Sequence, residues 1–181
     1  MENAIISRVI KMKITVMGYS GSGKSTLARK LAEHYNIDVL HFDSVQFLPN
    51  WEIRSQEEKE RMTREFLDTH DEWVIDGNYS KLFYEERLEE SDLIILMLFN
   101  RFSCLYRVWK RYRTYQNMTR PDMGEGCNEK LDSEFIRWVL FDGRAKSARE
   151  RHKRICKRYG NKTIIIKNQR ELDAFIAKSL D

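Results

Sequence analysis

The 181-residue sequence predicts a doubly wound α/β domain built on five short strands. Three observations carry that expectation. Short apolar stretches alternate with amphipathic ones along the chain. Leu93–Phe99 is apolar without alternation, as in a strand of a parallel sheet covered on both faces. A glycine-rich turn, Gly18–Gly23, separates the first apolar stretch from the first amphipathic one. In such domains ligands bind beyond the carboxyl ends of the strands.

Taken in order, Lys11–Met17 alternates and then turns apolar, a first strand running into the glycine turn. Ser25–Tyr35 sets Leu27, Leu31 and Tyr35 on one face with Ala28 and Ala32 beside them, a helix packed on a sheet. Ile37–Phe42 is a second strand closed by Asp43, followed by a loop at Pro49, Asn50 and Trp51. Gln56–His70, with Met62 and Phe66 among dense charge, reads as an exposed helix. Trp73–Ile75 before Asp76 and Gly77 is the third strand, and Leu93–Phe99 the fourth. Arg101–Tyr115 continues as a basic aromatic helix, Arg120–Asn128 as a glycine-bearing loop, and Leu131–Phe141 and Ala145–Arg158 as further helices. Thr163–Ile166, rich in β-branched residues, is the fifth strand.

Composition bounds the rest. The length suits one domain over residues 1–181, and 41% hydrophobic residues suffice for a core. No apolar run approaches the roughly 20 residues that span a bilayer. Met1–Ile10 lacks the basic start, apolar stretch and cleavage site of a secretory signal. Cys104, Cys127 and Cys156 are odd in number and widely spaced, which fits a reducing cytoplasm better than a disulfide framework. The net charge of +4 is unevenly spread: Arg101–Arg158 holds 16 Lys and Arg against 7 Asp and Glu, a net of +9 that leaves −5 elsewhere. A basic block attracts nucleotide phosphate or nucleic acid, or is a solvated face.

The chemistry is concentrated in Gly18-Tyr19-Ser20-Gly21-Ser22-Gly23-Lys24-Ser25-Thr26, which satisfies G-x-x-x-x-G-K-[ST] between a predicted strand and a predicted helix. Glycines at Gly18, Gly21 and Gly23 let backbone N–H groups surround phosphate, with Ser20 and Ser22 between them. The motif calls for ATP and Mg²⁺: Lys24 reaches the β- and γ-phosphates, the Ser25 hydroxyl ligates the metal, and Thr26 lies near the α-phosphate. Asp76 has the strand-then-acid form that holds Mg²⁺ directly or through water; otherwise it is a turn residue before Gly77. Asp43 accepts a proton from an acceptor hydroxyl or orients the substrate; otherwise it caps the next segment.

Arg107, Arg111, Arg113 and Arg120 fall where a mobile basic segment would fold over the triphosphate and stabilise charge in phosphoryl transfer, the alternative being a solvated helix face. Trp51, Trp73, Trp109 and Trp138 read as core or substrate-loop packing. His34, His41, His70 and His152 show no metal-like spacing and read as structural.

Together Gly18–Thr26, His41-Phe42-Asp43, Pro49 with Trp51, Trp73–Tyr79, Asp92, Arg101 with Cys104-Leu105 and Arg107, and Gly126-Cys127 resemble the proteins termed DNA topology modulation (FlaR-related), adenylate-kinase-like members of the P-loop kinases. The resemblance runs from about Met12 to the last strand. It implies a P-loop NTPase core of five parallel strands in order 2-3-1-4-5, an ATP site at Gly18–Thr26, a substrate-side segment around residues 43–70 and an Arg-bearing lid around residues 107–128. Adenylate kinases carry Asp-Gly-Phe-Pro-Arg at the third strand, whereas Asp76-Gly77 here precedes Asn78-Tyr79-Ser80, a departure that weighs against AMP as acceptor. The expected activity is Mg²⁺- and ATP-dependent phosphoryl transfer to a small acceptor. The alternative is a nucleotide-binding regulator that contacts DNA through residues 101–158, although no helix-turn-helix, zinc finger or RNA-binding signature is present.

Overall fold

Strand β1 (Lys13–Gly18) lies at the centre of the sheet, and its alternation explains why: Ile14 and Val16 face one helical layer while Met17 faces the other. The computed structural model describes residues 11–116 and 118–180; the predicted reading of Met1–Ile10 lies outside them. With β2 (Asp38–His41), β3 (Trp73–Asp76), β4 (Leu93–Met97) and β5 (Thr163–Ile166), β1 forms a five-stranded sheet in order β2-β3-β1-β4-β5. All four pairings are parallel, with Val16 beside Asp76 and Ile95, and His41 beside Asp76. The expected P-loop NTPase architecture and strand order are therefore present.

Helices cover both faces. On one, α1 (Lys24–Tyr35), α5 (Arg101–Tyr115) and α8 (Gln169–Ser179) bury Leu27, Leu31, Val108, Leu172 and Phe175 against Ile14, Val16 and Ile95. On the other, α4 (Tyr84–Glu90) and α7 (Lys146–Arg158) bring Leu88 and Ile155 onto Met17, Ile94 and Leu96. Beside these, α2 (Phe42–Gln46) and α3 (Gln56–Thr69) pack Phe42, Val45 and Leu67 on Trp73 and Ile75. A short α6 (Ser133–Leu140) follows the loop after α5. Among the described residues no helix is long and apolar enough to cross a membrane.

Side-chain caps start most of the long helices. Ser55 accepts from the Glu58 N–H, Asn100 from Ser103, Asp132 from Phe135 and Asn168 from Glu171. Two long helices lack one: α1, which begins at left-handed Gly23, and α7, which begins at Ala145, have neither a side-chain cap nor an acid in the first turn.

Three helices escaped the sequence reading. In α2, Phe42 and Val45 turn inward immediately after the strand, so β2 stops at His41 and Asp43 sits in a helical first turn instead of closing a strand. Within α4 the inward positions are Arg87 and Leu88, and a buried arginine hides the apolar face. The signal for α8 was available: Asn168 and Glu171 make a cap three residues apart, followed by inward-facing Leu172 and Phe175. Strand β4 also ends two residues early, at Met97, where the chain leaves the ladder although Leu98 still donates to the Ile166 carbonyl at 2.7 Å.

Candidate functional site

The loop from β1 to α1 is seated by contacts that tolerate no side chain. A Cβ on Gly18 (φ +140°) would lie 2.2 Å from the Met97 carbonyl oxygen, and one on Gly21 (φ +77°) 2.6 Å from that of Cys104 in α5. The Tyr19 N–H donates to Met97 O at 3.1 Å, and the Asn78 side-chain amide clamps Gly18 from both sides, accepting from its N–H at 3.0 Å and donating to its carbonyl at 2.6 Å. Lys24 lies back over the loop it follows, its Nζ donating to Tyr19 O at 3.2 Å. The open, uncapped start of α1 and this loop together offer N–H groups and a lysine to an anion. Ser20, Gly21, Gly23, Ser25 and Thr26 line a cavity of about 1000 Å³ at the carboxyl edge of the sheet, whereas Ser22 is buried beneath the loop.

Asp76 closes β3 as expected and lies beside its register partner His41, whose Nδ1 is 3.1 Å from Asp76 Oδ2. Burial opposes ionisation of Asp76, but the hydrogen bond from His41 and the positive charge of Lys24 outweigh it and hold the carboxyl below the usual carboxylate range. The second oxygen, Oδ1, is buried without a protein partner, and Ser25 lies close enough to contribute a hydrogen bond to this carboxylate. An unpaired, ionised oxygen next to a hydroxyl is a donor set that suits a hard divalent cation. Among the described residues no group of three or more His, Cys, Asp or Glu could hold a metal alone, so oxygen ligands from a nucleotide would have to complete the shell.

Asp43 reaches the same cavity from α2 and accepts a 2.7 Å hydrogen bond from the Tyr79 hydroxyl. Burial, then the Asp43 charge, raises the Tyr79 hydroxyl far above its ordinary range, so it acts as a neutral donor. Behind this pair stands Arg87, with no exposed surface, donating to the Tyr79 and Leu82 carbonyls at 2.8 Å and lying over the Phe42 ring. It ties the loop after β3 to the start of α2.

Of the four predicted arginines, Arg107, Arg111 and Arg120 line this cavity and Arg113 does not. Arg107 donates to Ser22 O at 3.1 Å and to the Gln169 side chain, spanning the phosphate loop and the start of α8. Arg111 and Arg120 line the cavity, but both are answered: Glu129, with a side chain 1% exposed, lies 2.7 Å from Arg111 Nη2 and 2.6 Å from Arg120 Nε, and Asp122 lies 2.7 Å from Arg120 Nη1. Arg113 lies outside the cavity, exposed over the Trp109 ring. The glycine-bearing loop is bonded to residues 48–51: Asn50 N–H donates to Gly126 O at 3.1 Å, Trp51 Nε1 to Asn128 O at 2.9 Å, and the Cys127 thiol to Leu48 O at 3.2 Å. Residues 48–51 and 126–128 are thus joined to each other.

Other side chains depart from their sequence readings. Trp109 and Trp138 are half exposed and not core, and Trp138 Nε1 donates to Ser20 Oγ at 3.1 Å on the phosphate loop. His41 is a partner of Asp76 rather than mere packing. Cations that the sequence does not single out also line the cavity, among them Lys59 on α3 and Arg151 on α7. Both stand in charge-dense helices where spacing does not separate an inward cation from its solvated neighbours.

A family model described as an AAA domain, AAA_18, matches residues 14–120. No curated protein matches the sequence. Solved structures with the same fold include an uncharacterized protein from Eubacterium ventriosum ATCC 27560, at 17% identity over 93% of this chain and 98% of that one, TM-score 0.50. Shikimate kinase from Acinetobacter baumannii in complex with shikimate matches at 15% identity over 95% and 97%, TM-score 0.55. TT1252 from Thermus thermophilus matches at 16% identity over 94% and 99%, TM-score 0.52. At these identities the structural matches speak for the fold alone. Phosphate loop, strand-end carboxylate, parallel 2-3-1-4-5 sheet and a family match over more than half the residues lead to one conclusion: the chain belongs to the AAA_18 family of AAA domains.

Proposed function

We propose that the protein is an ATP- and Mg²⁺-dependent phosphotransferase acting on a small acceptor. The observation that carries this reading is the single cavity of about 1000 Å³ shared by Lys24, Ser25, Asp76 and Asp43. It joins a phosphate-binding end to a carboxylate able to take a proton. A second hollow of about 250 Å³, lined by Leu27, Leu172, Ile176, Arg107 and Gln169, offers apolar walls and a guanidinium plane to a nucleobase next to Gly23 and Thr26.

In this reading the loop N–H groups and Lys24 hold the β- and γ-phosphates. Asp76 Oδ1 and the Ser25 hydroxyl would hold Mg²⁺, which when bound neutralises charge on the phosphate oxygens. Asp43, oriented by Tyr79, accepts the acceptor's hydroxyl proton as that oxygen bonds to the γ-phosphorus. The bond from the γ-phosphorus to the bridging oxygen breaks, and ADP leaves with the electron pair. Arg111 faces the same space and can share charge developing on the transferred group. The shikimate kinase among the structural neighbours binds a small hydroxylated acid, which agrees with an acceptor of this size.

The test is a screen of ATP consumption against nucleosides, nucleotides and small alcohols, with Lys24→Ala as control. A true acceptor raises turnover, and Lys24→Ala, which removes charge-assisted hydrogen bonds to phosphate, binds ATP about ten- to a hundredfold more weakly while staying folded. Wild-type ATP affinity in the folded variant would sink the assignment.

One observation favours a second reading, the nucleic-acid-contacting regulator suggested by the likeness to DNA topology modulation proteins. Phe102, Tyr106 and Trp109 are exposed on one face of α5, with Arg113 over Trp109. Aromatic and cationic side chains alternating on a helix suit stacked bases and phosphates. Single-stranded DNA affinity that falls steeply with salt, together with ATP turnover indifferent to every acceptor, would favour it.

A further inference from the structure

Where α2 and α3 border the cavity stands a cation that no carboxylate answers among the described residues. Lys59 is 8% exposed and lines the cavity, and its ammonium donates to one neutral acceptor, Gln46 Oε1 at 3.1 Å. Of the cavity's arginines, Arg111 and Arg120 are paired with Glu129 at 2.7 and 2.6 Å, while Arg107 and Arg151, without an acid in range among the described residues, donate to the Ser22 and Asn78 carbonyls at 3.1 and 3.4 Å. Among the described residues Lys59 likewise has no acid within salt-bridge range, and it is the one of these three that the α3 side of the cavity presents, next to Gln46. An ammonium has three donors, so two lack a protein partner. Those donors are open to an anionic group in the cavity that Lys59 lines.

Position on α2 says what the compensating group belongs to. Gln46 and Asp43 are three residues apart, on one face of the helix, with Cβ atoms about 5–6 Å apart. The Lys59–Gln46 pair therefore stands about one helical turn from the carboxylate assigned to the acceptor hydroxyl. Phe47, Trp51 and Ile53 line the space beside them and offer apolar surface to a carbon skeleton.

We propose that Lys59 and Gln46 anchor an anionic group of the acceptor, making the acceptor a small hydroxy compound that carries a carboxylate or phosphate about one helical turn from its reactive hydroxyl. The acidic group takes the free donors of Lys59, while the hydroxyl meets Asp43. This proposal rests on the phosphotransferase reading of the same cavity.

The test titrates malonate, inorganic phosphate and neutral malonamide by calorimetry into the full chain saturated with AMP-PNP, which fills the phosphate loop. At least one anion binds, and which one tells carboxylate from phosphate. Malonamide does not. Lys59→Met weakens the anion about ten- to a hundredfold, the loss expected for a charge-assisted hydrogen bond, and Lys59→Arg restores most of it. Binding of neither anion, equal affinity for malonamide, or undiminished anion affinity in Lys59→Met overturns the proposal. Should Lys59→Met not fold, the comparison of anions with malonamide on wild-type protein decides. If AMP-PNP itself does not bind, the phosphotransferase reading has failed, and the anchor falls with it.

Discussion

At the scale of single residues, the environment of each ionisable group sets what it can do. Asp76 is kept ionised by His41 and Lys24 although it is buried, and its free oxygen acts, in the proposed reading, through a cation. Asp76→Asn is therefore expected to raise the Mg²⁺ concentration needed for half-maximal turnover by about tenfold or more, while ATP affinity changes only a few-fold. An unchanged Mg²⁺ titration would leave Asp76 a turn residue. His152 behaves in the opposite sense. Burial, then the charges of Arg151 and Lys24, push it down to about 4, and its Nδ1 is buried without a partner, edge-on to Tyr19 of the phosphate loop. The unfolded chain takes up this proton near pH 6.5, the folded chain only near 4. Stability is thus fully present above pH 6.5 and falls as the solution is acidified from 6.5 towards 4. Thermal melts across that window should show a decline that His152→Phe flattens; an equal slope in the variant would contradict it.

At the scale of elements, the segment after α5 is held by charge pairing under burial. Glu129 answers both Arg111 and Arg120, and the Gly126–Asn128 backbone is bonded to the Leu48–Trp51 loop. Burial and the neighbouring Arg120 charge press the Arg111 pKa down, against the pull of Glu129. Removing the acid leaves two guanidinium groups with one remaining carboxylate, Asp122. Glu129→Gln is expected to lower unfolding free energy by about 3 kcal/mol, the loss typical of breaking a buried pair from one side. Urea denaturation measures it, and a change under 1 kcal/mol would mean that water screens the cluster. The residues of this cluster are spread over Arg111, Arg120, Asp122 and Glu129, and sequence spacing showed the arginines without showing which acids neutralise them.

At the scale of the whole molecule, the phosphate loop is wedged between α5 and the sheet, and the proposed base hollow adjoins the proposed acceptor cavity, sharing Gly23, Thr26 and Arg107 with it, while Arg111 lines the cavity only. Two substitutions in α5 should separate the two ends. Arg107→Ala is expected to weaken ATP binding about tenfold, since Arg107 borders the base hollow. Arg111→Ala is expected to lower turnover about a hundredfold with ATP affinity within a few-fold, because a cation facing the transferred group matters most in the transition state. Turnover and single-stranded DNA affinity measured at two salt concentrations check both. Full turnover in both variants together with lost, salt-sensitive DNA binding would turn the reading towards the regulator.

The sequence by itself determined the phosphate loop and the sheet, because both are local. Nine consecutive residues write the loop, and each strand is a contiguous apolar run whose type does not depend on its neighbours. Strand order came only through likeness to a family, and the structure bears it out. What the tertiary structure alone decided is the fate of each charge and polar group. Asn78 clamps Gly18 from 60 residues away, Glu129 reaches back 18 residues to Arg111, and Asp43 turns out to begin a helix because Phe42 and Val45 face inward. Lys59 shows the reason most plainly. In α3 it is one charged residue among many, and only the burial of that helix face and the absence of a nearby acid distinguish it from its solvated neighbours. Electrostatic pairing depends on distances through space, which a linear spacing does not contain.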